Sequence, residues 1–364
     1  MTESRLEIPI ARKLVHDPAG LNTATWPLPP DQLITPAEQF FTRSHAPVPE
    51  IDVDSWRLVV DGLVERPSSF SLGDLAREFP LVHIRATLVC AGLRRNEFLA
   101  LGELPGELPW GPEAVSTGHW SGFRLSDVLR AAGLDPLANH VEFQGLDQVE
   151  RQGEQFGFGG SITRAKALSP EVILATKLNG KPLAPEHGYP MRVVVPGWIG
   201  ARSVKWLGRI TLRKYPSPNY FQSQAYRLQP IVNPENPRDV SGGTALTEIP
   251  LNAVIIHPAP GGVLPAGRVE MFGWAMGSGG RAVTGVEVSC DGGHDWVPAS
   301  ITRNGSAWSW SLWKASVDLP PGRHTLIVRA TDGVGAQQPS SVNDTWNVKG
   351  YNNNAWYRTT VDLA

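Results

Sequence analysis

The run Cys90-Ala91-Gly92-Leu93-Arg94-Arg95 carries the most pointed chemistry in the chain. A thiol leaving a strand into a small-residue loop, with two guanidinium groups just downstream, sits in a positive field that favours the thiolate. Such a sulfur serves as a nucleophile or as a ligand for a soft metal. The second cysteine, Cys290, falls in step with Val286 and Val288 along an alternating segment and reads as core. Three further segments carry cations. Phe40-Phe41-Thr42-Arg43-Ser44-His45-Ala46-Pro47 sets Arg43 and His45 between aromatic and proline anchors. His187-Gly188-Tyr189-Pro190-Met191-Arg192 leads a histidine and an arginine into an apolar block, and Gly200-Ala201-Arg202-Ser203-Val204-Lys205-Trp206 flanks Ser203 with two cations. Acids near them in sequence are few. One such segment alone would read as internal ion pairs; four together point to a site for a phosphate or another oxyanion.

Other signals are weak. Gly157-Phe158-Gly159-Gly160 and Gly277-Ser278-Gly279-Gly280 lack the spacing of a dinucleotide-binding turn. The nine histidines form no His-x-x-x-His pair. A Cys90/His187/Asp147 triad can be composed on paper, leaving a thiol hydrolase open, but no spacing brings the three together. Thirty-three Lys and Arg against 35 Asp and Glu give a net charge of −2, which excludes a nucleic-acid binder driven by overall charge. Two cysteines exclude a disulfide framework and a four-cysteine zinc site. The N-terminus has no basic and apolar leader, and no apolar run is long enough for a bilayer, so a soluble, cytoplasmic protein is expected.

The positioning elements follow from pattern. With 37 glycines and 32 prolines, strands and loops should dominate. Residues 1–35 read as an extended arm on the surface of the body. Strands are expected over 56–62, 81–90, 140–145, 191–196 and 208–212. Helices are expected after Ser71, whose Asp74 completes a capping box before Pro80, and over 126–133, stopped by Gly133. Residues 153–161 read as a glycine-rich loop. After a proline- and asparagine-rich stretch over 214–240, short alternating segments at 286–290, 308–313 and 325–331 predict an immunoglobulin-like sandwich without its bridging cysteines. The expected organisation is therefore an arm (1–35), an α+β catalytic domain (36–240) and an all-β sandwich (241–364).

In this order along the chain, Phe41-Thr42-Arg43-Ser44-His45, Cys90-Ala91-Gly92-x-Arg94-Arg95, Gly145-Leu146-Asp147, His187-Gly188-x-Pro190-x-Arg192 and Gly200-Ala201-Arg202-x-Val204-Lys205-Trp206 resemble the sulfite oxidase family of molybdenum enzymes. The resemblance implies a molybdopterin-binding domain followed by an immunoglobulin-like dimerisation domain, and a homodimer. It implies that Cys90 is the protein's ligand to molybdenum. Phe41, Thr42, Arg43, Ser44, His45, Asp147, His187, Arg192, Ser203, Val204 and Lys205 would hold the single molybdopterin. Arg43, Arg95 and Tyr226 would act on the substrate beside Cys90. The implied reaction is oxygen-atom transfer, taking sulfite to sulfate, with electrons passed to an external carrier or to oxygen, since no haem domain is expected within the assigned residues.

The chain departs from the family pattern at several positions. Leu93 stands where asparagine is usual, Ala225 where an aspartate precedes the tyrosine, and Pro105-Gly106-Glu107-Leu108-Pro109 lacks an expected lysine. Ser311 is expected at the position from which the second domain contributes an arginine to the oxyanion pocket. Losing one charge-assisted contact would weaken oxyanion binding by about 1.5–3 kcal/mol, so a low-affinity sulfite oxidase or a relative with another substrate is expected. The rival readings are a nitrate-reductase-like enzyme on the same scaffold, the thiol hydrolase, and a binding protein without catalysis.

Overall fold

The computed structural model describes residues 12–28, 31–229, 236 and 239–364. Alternating and β-branched segments build two sheets in the first part of the chain. One runs Gly159–Thr163, His140–Gly145, Leu207–Arg213, Leu58–Gly62 and Ser68–Phe70 in spatial order, with a single parallel pair between Leu207–Arg213 and Leu58–Gly62. The other runs Lys181–Pro182, Ile173–Leu178, Val115–Arg124 and Leu81–Val89, and the short strand Arg192–Val194 also pairs with Ile173–Leu178. Arg192–Val194 is buried throughout, as its unbroken apolar run implies. The helices among the described residues are short. Leu72–Glu78 carries the expected capping box, Ser71 N–H donating to Asp74 and Asp74 N–H to the Ser71 hydroxyl, and Leu125–Ala132 ends at Gly133 with φ 75°. No helix among the described residues is long and apolar enough to cross a membrane.

The C-terminal part is the expected sandwich. A four-stranded sheet of Asn252–His257, Gly267–Met276, Ser311–Leu319 and Ser300–Arg303 faces a five-stranded sheet of Gly262–Leu264, Tyr357–Leu363, Gly322–Asp332, Val283–Ser289 and Val297–Pro298. One continuous apolar cluster links this sandwich to the sheet that holds Leu81–Val89.

Four expectations need correction. The glycine-rich stretch 153–161 is not a loop: Glu154–Phe156 and Gly159–Thr163 are strands, and the glycines are there for closeness. A Cβ on Gly160 would stand 2.8 Å from the buried Arg202 guanidinium, and one on Gly157 would collide with the Gly145 carbonyl. Alternation over 308–313 does not make one strand, which starts only at Ser311. Upstream, Ser306 and Ser309 hydroxyls capture the backbone N–H groups of Trp308 and Ser306 and hold a turn instead. Residues 12–28 are not an extended arm on the surface; Arg12–Val15 and Thr23–Trp26 form a hairpin whose Asn22, Thr23 and Thr25 are buried. Residues 1–11 lie outside the described residues. Cys290 packs against the core as expected but lies one position beyond its strand and is only half-buried, and its thiol is pushed up to about 11 by burial and by Asp291.

Arg94 joins the two halves. It is fully buried with φ 60°, pairs with Glu97 at 2.7 Å, donates to the Asn252 side chain of the sandwich at 2.7 Å, and lies 5.1 Å from the Tyr357 ring centre. Asn353 donates to its carbonyl. Truncating one partner of a buried ion pair leaves the other uncompensated. Arg94→Met should therefore lose about 3 kcal/mol of stability, read as a lower chemical-denaturation midpoint; an unchanged midpoint would remove Arg94 as the inter-domain tie.

Candidate functional site

Two cations that line one cleft, the buried Arg192 and the half-buried Lys205, have no carboxylate bonded to either. Arg192, at the start of its buried strand, spends its guanidinium on the carbonyls of His187 (3.2 Å) and Ser203 (2.8 Å) and on the face of Trp120 at 5.3 Å. Lys205 donates to the Ser44 hydroxyl (2.6 Å) and the Glu186 carbonyl (2.9 Å) and lies 4.2 Å over the Trp206 ring. Burial lowers Arg192 to about 9 and draws Lys205 well below the usual lysine range. Carbonyls and ring faces partly replace water around these charges but do not neutralise them. Both line one cleft, of about 700 Å³ including its open mouth, together with Arg43. The acid Asp147 lies there too, raised by burial, accepting from Phe158 N–H at 2.9 Å. An anionic group fits this cleft better than a neutral one.

The expected binding residues converge here. Phe41, Thr42, Arg43, Ser44, His45, Cys90, Asp147, His187, Arg192, Ser203 and Lys205 all line the cleft, and so does Tyr226. Val204 does not: its side chain is buried in the neighbouring core and only its carbonyl is engaged, by Val193 N–H. The 41–45 segment is held by the N-terminal hairpin. Asn22 Oδ1 accepts from Arg43 Nη1 at 3.0 Å and from Ser44 N–H at 3.1 Å, and Thr42 pairs with Thr23 across a bridge. Asn22 carried no signal in the sequence, since its contact spans about twenty residues of irregular chain.

A second cleft adjoins the first, and Arg43, His45, Cys90 and Tyr226 line both. Tyr226, at φ 52°, directs its hydroxyl to His45 Nε2 at 3.1 Å, and His45 stacks on Phe158 with ring centres 4.8 Å apart. Burial pushes the phenol up to about 12, and burial plus Arg43 hold His45 well below its ordinary value, so a protonated phenol donates to a neutral imidazole near neutral pH. Arg95 lines only the second cleft, where its guanidinium faces the Tyr351 ring at 5.3 Å and pairs with Glu107 at 3.3 Å.

The arginines after Cys90 are thus not the free positive field expected. Arg94 is consumed by Glu97 and Asn252, Arg95 by Glu107 and three backbone carbonyls, and the Cys90 sulfur accepts only from Gly92 N–H, at 3.4 Å. Arg202 is likewise structural, tying the Phe221 and Leu246 carbonyls together. Ser311 is not in either cleft; it is buried in its strand, accepting from Gly305 N–H. The sandwich instead supplies Lys349 and Tyr351, from a segment whose sequence shows no periodicity. Cys90, His187 and Asp147 share a cleft but form no triad. His187 Nε2 donates to the Ala37 carbonyl at 3.0 Å, and Asp147 is taken up by Phe158.

Among the described residues no group of three or more His, Cys, Asp and Glu side chains is placed to chelate a metal. The one sulfur at the junction of the clefts suits a soft metal that brings its other ligands on an anionic organic group, and Arg192 and Lys205 suit that group's charge.

Comparisons with known proteins agree with this chemistry. The family described as "Oxidoreductase molybdopterin binding domain" matches residues 45–221, and the "Mo-co oxidoreductase dimerisation domain" matches residues 243–364. The chain is 40% identical to sulfite oxidase of Gallus gallus, over 90% of this chain and 73% of that protein. It is 41% identical to mitochondrial sulfite oxidase of Homo sapiens, over 92% of this chain and 64% of that protein. Its fold is similar to that of the sulfane dehydrogenase SoxCD of Paracoccus pantotrophus, with a TM-score of 0.79, 25% identity, and coverage of 100% of this chain and 95% of that one.

The buried histidines make stability pH-dependent. His187 is lowered to about 4 and His45 well below 6.5, so as pH falls below 6.5 the unfolded chain takes up protons that the folded chain refuses. Stability should be full above pH 6.5 and decline towards pH 4, by up to roughly 1.4 kcal/mol per pH unit per histidine. His187→Gln should flatten this decline in chemical-denaturation series; an equally steep decline would assign it to other groups.

Proposed function

The chain belongs to the sulfite oxidase family, and on that premise we propose that it binds one molybdopterin-held molybdenum and oxidises sulfite to sulfate, passing two electrons to an external acceptor. The observation that carries this reading is the meeting of two clefts at Cys90, one lined by Arg43, Arg192 and Lys205 with no carboxylate bonded to any of them, and the other lined by Arg43, Arg95 and Tyr226.

In this reading Lys205, Arg192 and Arg43 bind the anionic end of the pterin, with Ser44 and Ser203 holding the cations in place. Asp147, His187, His45, Phe41 and Thr42 complete the cleft wall, and Asp147 offers an acceptor to a ring N–H. Val204 contributes through the backbone that sets Ser203 and Lys205. Cys90, as thiolate, ligates the metal. Bound molybdenum supplies two-electron oxygen-atom transfer. The protein's part is electrostatic and positional. Arg43 and Arg95 draw a small oxyanion into the second cleft, and the Tyr226 hydroxyl, oriented by His45, stabilises negative charge on its oxygens without surrendering a proton, as a phenol held at about 12 requires. The 243–364 region, matching a dimerisation domain, is assigned to a homodimer interface.

The thiol hydrolase reading has no support in the geometry, because no base reaches Cys90. Purified protein from a host that makes the cofactor should hold one molybdenum per chain and reduce a dye in the presence of sulfite. Cys90→Ser should abolish turnover. Lys205→Met should lower molybdenum content while raising the thermal stability of the cofactor-free protein, because it removes a sheltered charge with no carboxylate bonded to it. Absence of molybdenum, or full sulfite turnover by Cys90→Ser, would overturn the proposal.

A further inference from the structure

A carboxylate occupies the cation-lined end of the second cleft. Glu107 lies on the turn Pro105-Gly106-Glu107, where the sequence lacks the lysine that the family resemblance leads one to expect. Its two oxygens reach two different cations: Oε2 stands 3.3 Å from Arg95 Nη2, and Oε1 stands 3.3 Å from Lys349 Nζ. Arg95 comes from the loop after Cys90, Lys349 from the sandwich, and both line the cleft that Cys90 and Tyr226 share with the first. The three groups are sheltered, with side-chain exposures of 5% for Arg95, 18% for Glu107 and 22% for Lys349. Arg95 is further pinned by the Lys349, Gly350 and Leu108 carbonyls, while the Glu107 carboxylate and the Lys349 ammonium sit on flexible stems.

We propose that Glu107 is a specificity-determining residue, an internal carboxylate that competes with substrate oxygens for Arg95 and Lys349 and so sets the cleft against doubly charged oxyanions. The inference rests on the function proposed above. A dianion entering this end must displace Glu107 from both cations or accept a like charge beside it in a sheltered site, where repulsion is poorly screened. A singly charged or neutral oxygen-bearing sulfur compound meets less repulsion. Arg43 and Arg151, which line the same cleft and have no carboxylate partner among the described residues, still provide attraction for it.

The alternative role for Glu107 is to position Arg95 and Lys349 for substrate, and it predicts the opposite sign. The test uses the molybdenum-loaded enzyme and its Glu107→Gln variant, which keeps the side-chain shape and an acceptor oxygen. Sulfate, a dianion, and nitrate, a monoanion, are titrated as ligands by calorimetry, and the sulfite KM is measured alongside. Removing the competing charge should tighten sulfate binding about ten-fold and lower the sulfite KM by a similar factor, while nitrate binding tightens by no more than about three-fold. Unchanged or weaker sulfate binding at an unchanged melting temperature would overturn the proposal. A variant with a lower melting temperature is answered by Lys349→Gln, which leaves Glu107 on Arg95 alone and should weaken sulfate further; tighter sulfate binding there would also overturn it. If sulfate tightens selectively but neither protein turns over sulfite, the role of Glu107 stands and the assigned reaction fails.

Discussion

Sheltering Arg192 and Lys205 in one cleft without a carboxylate bonded to either is the constraint around which the molecule is arranged. Taking a cation out of water is strongly unfavourable unless something replaces its hydration. Here the replacement is assembled from carbonyls of His187, Ser203 and Glu186, one serine hydroxyl and the faces of Trp120 and Trp206. None of these carries a full negative charge. Asp147 and Glu186 in the same cleft act on Lys205 only through space, so its three cations, Arg43, Arg192 and Lys205, outnumber its two carboxylates and the cleft suits an anionic group. Much of the first domain serves to hold this arrangement: the strand Arg192–Val194 is sealed on both sides, and the hairpin around Asn22 fixes the segment that presents Arg43 and Ser44.

The second cleft follows a different rule. Two of its cations, Arg95 and Lys349, are paired with Glu107, while Arg43 and Arg151 have no carboxylate partner among the described residues. Under the proposed function, a resident cofactor and an exchanging substrate make opposite demands: the first would be held by charges left unanswered, the second by charges already answered and only partly surrendered. Cys90, Arg43, His45 and Tyr226, shared between the clefts, couple the two. The Tyr226–His45 pair shows how desolvation fixes protonation, since burial keeps the phenol protonated and the imidazole neutral and so sets the direction of their hydrogen bond.

Much of this was legible in the residues. Alternation located the strands at 81–89, 140–145 and 207–213 to within two residues, because half-buried strands enforce a period of two. The capping box at Ser71 and the glycine stop at Gly133 are local hydrogen-bond chemistry and appeared as read. The glycines of 153–161 misled, because glycine marks both loops and strands that pack closely, and only the buried Arg202 against Gly160 tells the two apart. Serine hydroxyls around Trp308 displaced a strand that pattern alone predicted.

By itself the sequence determined which groups the site contains, because cations between apolar anchors near a lone thiol are a statement of composition and local order. It could not decide which of those cations are spent and which are free. Arg94 and Arg95 look alike in sequence beside Cys90, yet Arg94 is sealed between Glu97 and the sandwich's Asn252, while Arg95, held by Glu107, lines the second cleft. Nor could it show that Ser311 is remote and Lys349 present, or that Asn22 and Glu107 belong to the site. Charge pairing is a short-range interaction between residues far apart along the chain, up to 242 positions for Lys349 and Glu107, so only the packed tertiary structure decides which charge meets which.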